Sequence, residues 1–475
     1  RPQVNVQNGQ ISVAFASDEA LEGSGTLINL EGTVVGDGED GLAFDSFSFF
    51  DAQANAVPTT LRNGSLTTSG LEVRLPNVVA TLDEGSVTLP INVQDVTGRN
   101  VTAYEFALPL NPAVVDNVQL SVDGTITPDL PEFSYQNGVL QVAFASSTPL
   151  EGAGTLLNVN VDLVGTGVET PTFQNLDLFD GQGNEVPTSP RQGRLAVAGT
   201  ATQAQFIHNA ADPSAASVDI YFGDRRVVDD FAFRSATPFL SVPAGVPFDV
   251  GVAPGSSSSV ADTLASFPVE FSANQDFTVV ANGVLNPSNF AENPIGESTA
   301  FELLVAGNAQ QSASVADSVD LRGVHGVTDA PAVDIADQNG VLFGDVVYGD
   351  ISGYVSTTPE TKQLTVTPAG GDTPVALFEA DLSGLTGGAA TVLASGFLDP
   401  SANQDGTAFA LVLVQPDGSV TTLQQDIPTA RAQFIHNAAD PSAETVDVYF
   451  NDELQIDDFS FRNATPFVDV PAGVE

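Results

Sequence analysis

AQFIHNAADPSAASVDIYFGDRRVVDDFAFRSATPFLSVPAGV (204–246) recurs almost unchanged as AQFIHNAADPSAETVDVYFNDELQIDDFSFRNATPFVDVPAGV (432–474), a shift of 228 that sets His208 on His436 and Asp219 on Asp447. Inside this block, short runs such as SVDIYF are rich in β-branched and aromatic residues. They are broken by Asn, Asp, Pro and Gly at short intervals, which is the pattern of strands joined by tight turns. A weaker copy begins at LRGVHGVTDAPAVDI (321–335), where His325 and Asp334 take the same places. The rear halves agree as well, DFTVVANGVLNPS (276–288) with ATVLASGFLDPS (390–401), so that Gly283 falls on Gly396.

Outward from this block, the front of the chain carries a second kind of repeat. QNGQISVAFASDEALEGSGTLINL (7–30) realigns with QNGVLQVAFASSTPLEGAGTLLNV (136–159), setting Phe15 on Phe144 and Gly23 on Gly152. FFDAQANAVPTTLRNG (49–64) matches LFDGQGNEVPTSPRQG (178–193) at the same shift. Helical periodicity is almost absent, with VADTLASF (260–267) its best and short candidate. Repeats of this length, each with its own apolar alternation, predict an all-β chain of tandem β-sandwich modules of jelly-roll or immunoglobulin-like type, strung in series like beads. The expected segments are 1–74, the rear half of a first-type module; 75–200, a complete one; 201–318 and 319–429, two second-type repeats; and 430–475, the front half of a third. The incomplete modules at both ends suggest a window onto a longer chain, or ends completed by a neighbouring copy.

The first module, with its Leu-Asn-Pro bend at 110–112 and its AFAS and GTLLNV strands, resembles the cohesin-like family of bacterial surface and cellulosome proteins. That resemblance implies a jelly-roll sandwich and, as an alternative function, a binding module for a dockerin-like protein or a carbohydrate. The second unit, a strand ending in His, an Asp-Pro turn and then Val-Asp-[Ile/Val], resembles a domain-of-unknown-function family of secreted bacterial surface proteins. This second resemblance implies an extracellular or cell-surface location and brings no activity with it.

Charge and composition narrow the function. Sixty acidic residues against thirteen basic give a net charge of −47, with Lys362 the single lysine. Such a surface repels phosphate backbones and anionic lipid heads, so neither nucleic acid nor membrane insertion is expected of it. With no cysteine, methionine or tryptophan, the chain has no disulfides and no thiolate chemistry, and sugar stacking on Trp is excluded. Apolar residues, at 42%, suffice for folded cores.

Three histidines, His208, His325 and His436, occupy one position of one repeat, so separate sandwiches should hold them tens of ångströms apart, each fixing its own turn. No Gly-x-Ser-x-Gly elbow, His-Glu-x-x-His pair or phosphate loop is present, and no catalytic activity is expected. The loop LDLFDGQGNEVP (176–187) offers Asp177, Asp180, Asn184 and Glu185 as hard oxygen ligands for calcium, and the earlier copy keeps Asp51 and Asn55. The same spacing suits a hairpin in which Asp and Asn only supply turn conformations. No cofactor is required. These features together lead to the expectation of a structural and interaction protein, an extracellular filament, stalk or adhesin whose partners are copies of itself or neighbouring modules, with strand addition at sheet edges as the means of assembly.

Overall fold

The computed structural model describes residues 3–7, 10–17, 27–28, 38–51, 53–60, 64–68, 70–426, 429–450 and 453–471. Gly23 and most of the 7–30 repeat lie outside them. Among the described residues there are strands and short 3-10 turns, no α-helix, and hence no helix long and apolar enough to cross a membrane. VADTLASF becomes a single capped 3-10 turn, Val260–Asp262, followed by the strand Ala265–Val269. The chain forms two compact units, Arg1–Asn77 with Gly85–Leu195, and Val78–Glu84 with Ala196–Glu475.

In the first unit, one five-stranded sheet runs in the order Glu132–Gln136, Val139–Ala145, Val101–Pro109, Asn175–Asp180, Glu185–Val186. The other is Val115–Ser121, Gly154–Leu163, Ser86–Val93, Leu71–Arg74, Thr188–Arg191, its last pair parallel with Thr188 opposite Leu71. Alternation decides which face is inside. Along Val139–Ala145 every second residue, Leu140, Val142 and Phe144, is buried. Tyr104 stacks on Phe144 at 5.0 Å between ring centroids and shares a 3.1 Å hydrogen bond with the Thr127 hydroxyl. Burial pushes its phenol up to about 12.

The second unit holds two second-type sandwiches. In the first, Thr200–His208 lies parallel to Phe277–Asn282, flanked by Glu302–Gly307 and Leu240–Ala244. In the second, Val319–His325 lies parallel to Ala389–Ser395, between Ile351–Thr357 and Ala410–Val414. Each is faced by an antiparallel sheet built on Ser217–Phe222 or on Val333–Asp337. The turn residues Gly283 and Gly396 have φ of +86° and +92°, and a Cβ on either would stand 2.5 Å from a carbonyl oxygen, of Ala300 or Ala408. That explains their recurrence in the sequence. The strand Asn77–Thr81 is hydrogen-bonded to Arg194–Ala198, and Val79 packs in one core with Ala198, Phe206 and Phe248, so 78–84 belong with the second unit.

The two second-type repeats are closer than beads on linkers. Phe277–Asn282, Val319–His325, Ala389–Ser395 and Ala410–Val414 are buried at every position, as strands covered on both faces must be. Alternate residues divide between two cores. Phe206 and Val279 point into the first sandwich, and Val392 and Leu411 into the second. Ile207 and Val280 join Val324, Leu393, Val412 and Val414 in a third cluster, between the repeats.

Candidate functional site

The repeated polar residues are held by the turns around them. His208 Nδ1 accepts from the Ala210 N–H at 3.4 Å while Nε2 lies 2.7 Å from the Ala215 carbonyl, so the neutral ring carries its proton on Nε2. His325 bonds the Val327 N–H and the Pro331 carbonyl in the same way, and His436 the Ala438 N–H and the Ala443 carbonyl. Burial pushes His208 down to about 4 and lowers His325 as well. Asp212 caps the 3-10 turn through the Ser214 N–H and accepts from the Leu285 N–H, binding the front of the repeat to its rear. Asp329 does the same for the second repeat, accepting from the Leu398 and Asp399 N–H groups and from Asn403 Nδ2.

The Val-Asp signature has an equally local cause. Asp219 is fully buried and its carboxylate accepts from the Asp230 N–H at 2.9 Å. Asp230 sits at φ +50°, where the neighbouring strand is bulged. The counterparts repeat this: Asp345 (φ +53°) donates to Asp334, and Asp458 (φ +51°) to Asp447. Burial disfavours a charge on Asp219, yet hydrogen bonds from Ser257, the Asp230 N–H and Arg226 hold it below its ordinary value.

This bulge also gathers carboxylates. Oxygens of Asp219, Asp229 and Asp230 lie within 4.8 Å of one another, as do those of Asp447, Asp457 and Asp458. In the first copy Arg226 supplies the countercharge, 3.1 Å from Asp219 and 2.8 Å from Asp229. Leu454 stands at that position in the third copy, and Gly344 replaces the middle aspartate in the second. Nothing in the spacing of Asp229 and Asp230 along the sequence reveals that a bulge turns them toward Asp219.

Of the four residues offered for calcium, Asp180 and Asn184 come together and close a hairpin. Asp180 Oδ1 accepts from the Gln182 and Asn184 N–H groups at 2.9 and 2.8 Å, and Oδ2 from Asn184 Nδ2 at 2.9 Å. The Asn184 side-chain and backbone bonds hold the Asp180 carboxyl below its ordinary value. Asp51 and Asn55 repeat the arrangement. Asp177 lies opposite Glu105 of the neighbouring strand Val101–Pro109, and Glu185, on the strand after the hairpin, lies opposite Phe179, both outside this hydrogen-bond set.

Lys362, the single lysine, is buried between two carboxylates, Nζ lying 2.7 Å from Glu360 and 3.4 Å from Asp337. Burial opposes its charge and the two carboxylates restore it, leaving its pKa raised.

One expectation needs correction. The turns after His208 and His325 are not tens of ångströms apart: Asn209 Nδ2 lies 3.4 Å from the Gly326 carbonyl oxygen, because the paired sandwiches bring these turns together. The two rings still do not share a task, since each is bonded within its own repeat.

Fold and site thus define a tandem β-sandwich protein whose repeated polar residues secure turns and bulges. The chain belongs to the family described as Domain of unknown function (DUF4397), which it matches over residues 202–336 and 319–440, together just over half of its length. Among solved structures it is similar to a non-cellulosomal cohesin from Archaeoglobus fulgidus, at 18% identity and TM-score 0.24 over 27% of this chain and 92% of that one. It is also similar to a cohesin–dockerin complex of OlpA from Clostridium thermocellum, at 13% identity and TM-score 0.25 over 27% of this chain and 99% of that one. No curated protein matches the sequence.

Proposed function

We propose that this chain is a non-catalytic structural and interaction protein of the cell exterior, a stretch of a filament, stalk or adhesin whose modules span distance and present sheet faces and edges to other modules. The observation that carries this reading is the use made of the repeated polar residues. His208, His325, Asp212, Asp329 and Asp219 bond backbone groups of their own repeats, so the signature shared by the copies is a folding device. A chain whose described residues repeat scaffolding and show no repeated reactive constellation suits mechanical extension and module-to-module contact. The acidic, lysine-poor composition suits a salty or calcium-rich exterior. Small-angle scattering of the 475-residue chain tests the proposal: an elongated particle is expected, and a radius of gyration near that of a single globule of this length, roughly 23 Å, overturns it.

A further inference from the structure

The contact between the two complete repeats is made by unlike halves. From the first repeat, Arg234 donates through Nε to Ser395 Oγ and through Nη2 to the carbonyls of Ser395 and Ala408, at 3.0, 3.0 and 2.7 Å. Gln205 Nε2 reaches the Gln415 carbonyl at 2.7 Å, and Ile207 enters the apolar cluster between the sheets. In return, Arg322, the counterpart of Gln205, donates to the Gly307 carbonyl at 3.0 Å, so the repeats meet about a pseudo-twofold axis.

The symmetry is broken where the turns meet. Asn209 has Gly326 as its counterpart in the second repeat, and Arg234 has Gly349. A Cβ on Gly326 would stand 1.9 Å from Asn209 Nδ2 and 2.7 Å from Asn282 Oδ1. Only one of the two turns can carry a side chain there. The first repeat is therefore a donor half, marked by Gln, Ile, Asn and Arg; the second is an acceptor half, marked by two glycines.

The third copy carries the full donor set as Gln433, Ile435, Asn437 and Arg462. Its side chains are already posed. Gln433 Nε2 bonds the Thr465 carbonyl at 2.8 Å as Gln205 bonds that of Thr237 at 3.0 Å, and Arg462 lies over Phe461 at 5.1 Å as Arg234 lies over Phe233 at 5.2 Å. Yet Ile435 is 65% exposed where Ile207 is 1% exposed, and Gln433, Asn437 and Arg462 are exposed with it.

We propose that this face of the third copy is a docking surface for an acceptor-type module, one of the same family with glycine at the positions of Gly326 and Gly349, and that repeats of this kind assemble in donor–acceptor pairs. The inference does not depend on the filament reading; two paired repeats could serve any extracellular task.

The test uses the absence of cysteine. Ile435→Cys is placed in two extended chains: one continued after Val474 by a copy of residues 247–318, which completes the third repeat, and one continued by a copy of 247–429, which adds an acceptor. Maleimide labelling of that single thiol is expected to be at least about tenfold slower in the longer chain. Gly326→Asn in the appended acceptor should restore fast labelling, while Ile207→Cys stays protected in both chains and reports folding. Equal labelling of Ile435→Cys in the two chains, whether fast or slow, overturns the proposal, as does protection that survives Gly326→Asn. Failure of the scattering test leaves this result untouched.

Discussion

His208 is the residue on which local design and stability meet. A histidine buried at a folded pKa of about 4, against an ordinary 6.5, is neutral in the fold and takes up a proton readily only when the chain unfolds. Its contribution is therefore complete above about pH 6.5 and is lost progressively as the pH falls toward 4, a span worth about 3 kcal/mol. His325 acts in the same direction. Carboxylates ordinarily titrate below the range from about pH 6.5 to 5, so the histidines dominate the slope there. Urea denaturation of the whole chain at pH 7 and pH 5 should show the second-type repeats weakened by roughly 2 kcal/mol at pH 5. The slope should shrink in His208→Gln; equal stability at the two pH values would contradict the buried neutral ring.

At the scale of the element, the central strands carry two packing duties in one sequence. FTVVAN (277–282) and VDLRGVH (319–325) are buried throughout, one set of side chains facing the repeat's own core and the other facing its neighbour. Gly326 follows the second of these strands directly, at the point where Asn209 approaches. Gly326→Ala should therefore destabilise the pair by about 1–3 kcal/mol through overpacking alone. Asn209→Gly should relieve it, with a coupling of about 1 kcal/mol or more in a double-mutant cycle read by denaturant unfolding. Additive effects would mean that the Asn209 amide is not the obstacle.

Over the whole molecule the dominant quantity is the net charge of −47, which works against every compact arrangement of the chain. Few cations answer it locally. Lys362 is enclosed between Asp337 and Glu360, and Arg226 serves the Asp219 bulge. Mobile ions must screen the rest. The screening length drops from about 10 Å at 0.1 M salt to about 3 Å at 1 M, so repulsion between like charges on a module should fall sharply over that range. Scanning calorimetry is expected to show the melting temperature rising from 0.1 M to about 1 M sodium chloride. A flat or falling profile would mean that this charge does not limit stability.

The strands, the two kinds of repeat and the turn chemistry are legible in the amino-acid order, because turns and strands depend on neighbours a few positions away. His208 closes its own turn, Asp212 caps the one that follows, and Asp180 with Asn184 closes a hairpin. Self-similarity displayed each of these more than once. The paired packing of the second-type repeats, the meeting of Asn209 with Gly326, the acidic cluster at the bulge and the enclosure of Lys362 emerge only from the folded arrangement. Alternation along a strand reports that a face is apolar without saying what covers it. The carboxylates around Lys362 come from just ahead of its own strand and from a neighbouring strand, and the Asn209–Gly326 contact joins residues more than a hundred positions apart; both depend on how strands and sheets meet, and no local pattern in the chain encodes that.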